Sequence, residues 1–414
     1  MALKFLSLFG LVIMVGLAWA VSLNRKLFPW RTVVSGLALQ FIFACLILKT
    51  EPGAAVFVLA QRAVTRLISF ADEGAIMVFG PLATKSFLSE KWGAENAMIF
   101  AITVSATIIL VSSLSCLLYH YGILQRVVQA VAWVMQRVMR TSGSESLAAA
   151  ANIFMGQTEA PLVIKPYLAR MTQSEIMALM VGGMATIAGG VLAAYVSFGI
   201  SAGHLLTASV MSAPAALMIA KVMVPETEQS ETAAGASARI ERETTNGLDA
   251  LCRGASDGLT LSLNVMAMLI AFVAVVALAN YLLAFPQHKL GVADPITLQT
   301  VFGWANAPFA WLMGVPAKDC FAIGQILGER IVLNEFVGYL SLAKIKASLD
   351  ERSLTLATYA LCGFANFTSI AIQIGGIGSL AATRRRDLAR LGLRAMVGGL
   401  LACYLTATVV GILI

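Results

Sequence analysis

Charge is the scarcest commodity in this chain. Only 12% of its 414 residues are Asp, Glu, Lys or Arg, against about 25% in a soluble globular protein. Cysteine is sparse as well: Cys45, Cys116, Cys252, Cys320, Cys362 and Cys403 are scattered without CxxC spacing. They read as structural thiols, and a disulfide framework is excluded. The three histidines, His120, His204 and His288, form no i, i+4 pair, so no zinc signature exists. No GxxxxGK[ST] stretch is present to hold a nucleotide motor, and neither GxSxG nor HExxH argues for a membrane enzyme. The net charge of +7 is modest, and no basic run is interleaved with aromatics. A nucleic-acid partner is therefore excluded, and the sequence calls for no cofactor and no catalytic residues.

What remains is apolar. Hydrophobic residues make up 59% of the chain and the mean hydropathy is +0.83, which identifies an all-α polytopic membrane protein whose partner is the lipid bilayer. The first twenty residues could pass for a signal peptide, with Lys4, an apolar run and Ala18-Trp19-Ala20. Arg25, Lys26 and Arg31 follow the run, however, which favours a first span with its N-terminus outside.

Eight spans are expected, over residues 5–23, 33–48, 97–119, 176–200, 205–224, 259–285, 354–382 and 391–414. Segments 54–71 and 123–140 carry opposed polar and apolar faces and are expected as interfacial amphipathic helices. Residues 296–315, with Trp304, Pro308 and Trp311, suit a further interfacial element. The strongly polar stretch 225–246 reads as a water-side linker between two halves.

Two stretches are too short to span. The first places Asn152, Gln157, Thr158 and Glu159 at a Gly156/Pro161-marked turn between arms 146–155 and 162–169. A hydrocarbon core needs about 20 residues of helix, so these arms predict a re-entrant hairpin. The second has arms 320–332 and 336–343 around Leu333-Asn334-Glu335. The fourth and seventh spans are interrupted, near Gly182-Gly183 and Gly189-Gly190 and near Asn366 and Gly375–Gly378. The order of full span, interfacial segment, hairpin, broken span and full span thus occurs twice. Thr186-Ile187-Ala188 in one broken span resembles Ser369-Ile370-Ala371 in the other. Counting spans puts the two hairpin bases on opposite sides, so the hairpins are opposed and the repeat inverted, a signature of secondary transporters. Lys344, Lys346 and Arg352 then fall outside, against the positive-inside trend.

A carboxylate at the bilayer centre costs about 2.5–3.5 kcal/mol on insertion scales, so Glu159 and Glu335 are expected to face a wet cavity and accept hydrogen bonds. Gln157, Thr158, Asn366 and Ser369 add neutral donors and acceptors. The set contains no Arg, which disfavours a carboxylate or phosphate solute. For coupling, Asn152, Thr186 and free carbonyls near Ile187 offer oxygen ligands to a hard cation such as Na⁺. A proton on Glu159 or Glu335 is the alternative, and another neutral polar solute, such as a free nucleobase, is the alternative cargo.

Three motifs in order, Gly156-Gln157-Thr158-Glu159-Ala160-Pro161-Leu162, Asn334-Glu335-Phe336-Val337 and Gly363-Phe364-Ala365-Asn366-Phe367-Thr368-Ser369-Ile370, resemble the signatures of concentrative nucleoside transporters, most closely the bacterial sodium-coupled members. The resemblance implies a homotrimeric nucleoside–sodium symporter of a bacterial inner membrane, moving a transport domain elevator-fashion against a scaffold. It assigns residues 1–140 to the scaffold and 141–224 to the transport domain. Residues 225–258 would be linker and interfacial helix, 259–315 scaffold again, and 316–414 the rest of the transport domain. It implies that Gln157, Thr158 and Glu159 hold the nucleobase and that Glu335, Asn366 and Ser369 hold the ribose of a substrate such as uridine. Val191 and Phe364 would line the pocket. The sodium site would comprise the side chains of Asn152 and Thr186 with the carbonyls of Met155, Thr186 and Ile187. Thr186 stands where the resemblance leads one to expect Ser, and the hydroxyl ligand survives.

Overall fold

The computed structural model describes residues 1–93, 99–236 and 244–414, and among these the only regular structure is helical. The chain opens with α1 (Ala2–Ala20), α2 (Trp30–Lys49) and α3 (Glu51–Phe79). The turn between α2 and α3 is a single residue, Thr50, whose hydroxyl caps α3 at Gly53 N, 3.1 Å away. A short α4 (Lys85–Trp92) follows.

The first repeat runs through α5 (Phe100–His120), α6 (Ile123–Met139), α7 (Gly143–Asn152), α8 (Ala160–Val163), α9 (Gln173–Ala185), α10 (Gly189–Ser197) and α11 (Ala202–Met223). The second runs through α12 (Gly247–Lys289), α13 (Leu298–Leu312), α14 (Ala317–Val332), α15 (Glu335–Ile345), α16 (Glu351–Leu361), α17 (Phe367–Leu380) and α18 (Arg385–Leu413). Element for element the order is the same. The leading helices α5 and α12 pack along each other, α6 packs on α7, and α13 packs on α14. The hairpins, broken helices, α11 and α18 hold most of the buried core, whereas α3 and α12 expose most of their surface.

Both hairpins close at their bases through a buried carboxylate. Ser144 Oγ at the start of α7 donates to Glu175 Oε1 at 3.0 Å, and Glu175 also completes the capping box of α9 with Thr172. In the second repeat, Asp319 near the start of α14 accepts from Asp350 N at 3.1 Å and from Ser353 Oγ at 2.6 Å. Each chain segment therefore descends and returns to the level where it began. The returning arm of the first hairpin differs from the helix expected over 162–169. Only the single turn α8 and a 3₁₀ turn, Leu168–Arg170, form there, because Pro166 lacks an N–H and its ring clashes with a preceding helical turn.

The broken spans part at Thr186–Ala188 and at Cys362–Asn366, where Thr186 and Asn366 are extended (φ −123° and −141°). The two breaks are bonded to each other, Phe364 N donating to Thr186 O at 3.3 Å. The likeness of Thr186–Ala188 to Ser369–Ala371 therefore does not mark equivalent positions. Ser369 lies in the first turn of α17, beyond the break, and Phe364 is what meets Thr186. The Gly375–Gly378 cluster interrupts nothing; α17 continues through it, and Gly376 lets the helix approach Thr158.

Among the described residues, eight helical segments are long and apolar enough to cross a membrane, but their membership differs from the expectation. Glu51–Trp92 is among them, because the amphipathic stretch 54–71 is the middle of the 29-residue α3. Residues 354–382 are not, because the break leaves 11- and 14-residue pieces, α16 and α17. The expected start of the third span, Ala97, lies outside the described residues. The boundary expected at 258/259 falls inside one continuous 43-residue helix, α12. Part of the polar linker is placed: Thr232 O accepts from Gly143 N at 2.8 Å, and Ser230 and Thr232 hydroxyls donate to Glu175, so the linker lies against the base of the first hairpin. Arg352, against the charge trend, is spent on backbone carbonyls, Gly314 O at 2.8 Å and Gly411 O at 2.7 Å.

Candidate functional site

The tips of the two hairpins and the two helix breaks meet around a cavity of about 440 Å³. Hairpin one contributes Gly156, Gln157, Thr158 and Glu159, and the first break contributes Ala188 and Val191. Hairpin two contributes Asn334, Glu335 and Phe336, and the second break with α17 contributes Phe364, Asn366, Thr368, Ser369 and Ile372. The remaining wall is one face of α12, including Leu261, Asn264 and Met268. Among the described residues, no Arg, Lys or His lines the cavity. A second chamber of about 290 Å³ shares Glu159, Ala188 and Leu261 with it and runs toward the end of α5, past Asp257 and Arg253.

The sequence dictates these placements locally. Asn334 and Asn366 are N-cap residues, each accepting from the backbone N–H three positions on, Val337 at 3.0 Å and Ser369 at 2.9 Å. Helix N-termini carry partial positive charge, and here two of them, α15 and α17, open on the cavity with Glu335 in the first turn of α15. Glu335 is 4% exposed. Its Oε1 accepts from Tyr195 Oη and its Oε2 from Asn366 Nδ2, both at 3.1 Å. Glu159 differs: its side chain is open to the cavity and accepts only from Gly156 N, at 3.3 Å. Both carboxylates line the cavity, Glu159 exposed to it and Glu335 almost wholly covered.

Gln157, Thr158, Glu159, Val191, Glu335, Phe364, Asn366 and Ser369, the eight residues expected at the solute, all line this one cavity. Sequence reasoning missed Tyr195, whose phenol is the one polar group of the apolar α10 that reaches Glu335. It also missed the α12 wall, where Asn264, a polar residue inside the sixth expected span, was an available signal. Gln373 was visible as a polar residue in the seventh expected span but carried no role.

The expected ion ligands gather beside the first break. Asn152 is 1% exposed, and neither its Oδ1 nor its Nδ2 has a hydrogen-bond partner among the described residues. Such an orphan costs about 1–3 kcal/mol, so a ligand that uses it recovers stability. Gly182 sits between Asn152 and Thr186: a Cβ there would lie 3.1 Å from Asn152 Nδ2, and Thr186 Oγ1 donates to Gly182 O at 2.9 Å. Ile187 is buried at the break, and Met155 lies in the turn that follows α7. Among the described residues no group of three His, Cys, Asp or Glu could hold a transition metal. The available chemistry is neutral oxygen, which suits a hard monovalent cation.

Inverted repeats, re-entrant hairpins and a cavity where broken helices meet define a helical, multi-pass membrane transporter. Residues 204–411 match the C-terminal domain of Na⁺ dependent nucleoside transporters, residues 9–82 match the N-terminal domain, and residues 101–202 match a nucleoside recognition (Gate) domain. An uncharacterized transporter of Haemophilus influenzae is 44% identical over 99% of this chain and 97% of its own length. Rat sodium/nucleoside cotransporter 2 is 38% identical over 99% of this chain and 63% of its own length. The structure of CNTnw in an inward-facing substrate-bound state matches with a TM-score of 0.93 at 36% identity, covering 99% of this chain and 97% of that one. The chain belongs to the concentrative nucleoside transporter family; it is a membrane transporter, not an enzyme.

Proposed function

We propose that this protein imports nucleosides across a bacterial inner membrane by symport with Na⁺. The carrying observation is the cavity itself, built from both hairpin tips and both breaks, rich in neutral donors and acceptors and free of Arg and Lys. Such a surface matches a neutral, hydroxylated, amide-bearing solute and gives an anionic one no counter-charge. Gln157, Thr158 and Glu159 hold the nucleobase, Glu335, Asn366 and Ser369 the ribose hydroxyls, and Val191 and Phe364 the apolar ring faces. Asn152 and Thr186, with the carbonyls of Met155, Thr186 and Ile187, hold Na⁺. Because Asn152 and Gln157 flank one turn, ion and solute order the same backbone, which couples them.

Residues 141–224 and 316–414 move as a transport unit against a scaffold of 1–140 and 259–315, and family likeness supports a homotrimer. The membrane potential supplies about 2.3 kcal/mol per Na⁺ per 100 mV. The test is uptake of labelled uridine into vesicles with Na⁺ replaced by choline at fixed pH. Loss of accumulation is expected; undiminished uptake sinks sodium coupling and favours a proton on Glu159 or Glu335. Equal competition by free uracil would move the assignment from nucleosides to nucleobases.

A further inference from the structure

Gln373 lies on α17 one turn beyond Ser369, on the same helix face. It is 1% exposed and does not line the cavity. Its Nε2 donates twice: to the backbone carbonyl of Met180 at 3.1 Å and to Gln157 Oε1 at 3.1 Å. Gln157 Nε2 in turn donates to Ser369 Oγ at 3.0 Å. The chain of bonds crosses three elements: α9, α17 and the tip of the first hairpin.

The direction of this chain is fixed at its start. A backbone carbonyl can only accept, so Met180 forces Gln373 to present its NH₂ group there. Both hydrogens of that group are then used, and the one aimed at Gln157 requires an acceptor, which orients the Gln157 amide with Oε1 inward. Gln157 therefore turns its oxygen toward Gln373 and spends one N–H on Ser369. Its second N–H is left unspent, and Gln157 itself lines the cavity. The cost is visible at Gln373 Oε1, which is buried without a partner among the described residues. Gly183 makes the arrangement sterically possible, since a Cβ there would lie 2.7 Å from Gln373 Nε2 and 2.9 Å from Gln157 Cβ.

We propose that Gln373 is a positioning residue that sets the hydrogen-bond polarity of the nucleobase site, by holding Gln157 as a donor toward the solute. This rests on the assignment of Gln157 to the nucleobase made above. With Gln157 held so, the base must offer an acceptor, a ring nitrogen or a carbonyl, at that point. An exocyclic amino group there meets donor against donor and is disfavoured. Without Gln373 the amide rotates freely and accepts either partner.

The experiment compares oxo and amino members of matched pairs, uridine against cytidine and inosine against adenosine, as kcat/KM for Na⁺-driven uptake in proteoliposomes. Wild type, Gln373→Met, Gly183→Ala and Gln157→Ala/Gln373→Met are assayed, with reconstitution checked by size exclusion. The expected result is that one or both oxo/amino ratios move toward unity by about fivefold or more in Gln373→Met. Gly183→Ala, which crowds both the Gln373 amide and Gln157 Cβ without removing either, moves the same ratio. Discrimination between uridine and 2′,3′-dideoxyuridine, read by the ribose side, stays unchanged. In the Gln157→Ala background, Gln373→Met adds no further change of ratio. A uniform loss for all four nucleosides, or unchanged ratios in reconstituted protein, overturns the proposal. Absence of saturable nucleoside uptake by wild type would instead overturn the transport function beneath it, so the two failures are separate.

Discussion

Asn366 Nδ2 lies 3.1 Å from Glu335 Oε2, a bond that joins the tip of the second hairpin to the second helix break. Tyr195 completes the grip from the first broken span. A carboxylate held by two neutral donors keeps accepting capacity to spare, since each of its oxygens has two lone pairs. Glu335 lines the cavity, and under the proposed assignment vicinal hydroxyls would use that capacity.

Replacing Glu335 by Gln removes the charge and half of the accepting capacity at nearly constant volume. Hydrogen bonds to a charged group contribute about 1.5–3 kcal/mol, so Glu335→Gln should raise the KM for uridine by roughly 10- to 150-fold. The effect should shrink for 2′,3′-dideoxyuridine, which lacks both hydroxyls. Wild-type KM in the variant would remove Glu335 from the ribose site.

Asn152 makes the opposite kind of prediction. Its amide is buried with no partner among the described residues, so in Na⁺-free buffer Asn152→Ala removes an unsatisfied group, offsetting the small cavity it leaves. Thermal melting without Na⁺ should therefore show little loss, while the stabilisation that Na⁺ confers on wild type should disappear. The Na⁺ concentration for half-maximal uptake should rise tenfold or more. A Na⁺-induced shift of normal size in Asn152→Ala would place the ion elsewhere.

Much of this architecture was legible in the sequence because polar residues are costly in a membrane. Gln157, Thr158, Glu159, Glu335, Asn366 and Ser369 stood out against apolar surroundings, and the structure collects them at one cavity. Less visible was where a helix stops. The returning arm of the first hairpin is barely helical because Pro166 prevents it, and its apolar composition alone did not reveal that. Composition also misjudged α3, whose 29 residues exceed the amphipathic patch at their centre. Tyr195 and Gln373 were hidden for a different reason. They act on site residues 140 and 216 positions away, and such pairings exist only once the repeats have interlocked.

The inner end of the first hairpin holds a buried ion pair, Lys221 Nζ to Glu145 Oε2 at 2.8 Å, with Glu226 Oε2 at 3.2 Å from the same ammonium. Glu145 is 1% exposed, so removing its partner strands a carboxylate in the core. Lys221→Met should cost about 3–5 kcal/mol, read as a lower melting temperature in detergent. Because the desolvation penalty falls on the unpaired charge, Glu145→Gln/Lys221→Met should recover much of that loss. A double variant as unstable as Lys221→Met alone would show that Lys221 matters for packing rather than charge.

Asp319 does at the base of the second hairpin what Glu175 does at the first, holding Asp350 N and Ser353 Oγ. Ser353 is fully buried, and Asp319→Ala would leave its hydroxyl without an acceptor, at about 1–3 kcal/mol. Asp319→Asn keeps one oxygen for that bond and should lose less. Hydrogen–deuterium exchange separates a local effect from a global one. In Asp319→Ala, amides of α14 and α15 should exchange faster while those of α7 keep their wild-type rates, because the two hairpin bases are tied independently. Equal acceleration in both hairpins would mean that the bases are mechanically joined, and unchanged exchange in α14 and α15 would mean that the carboxylate does not hold the second hairpin closed.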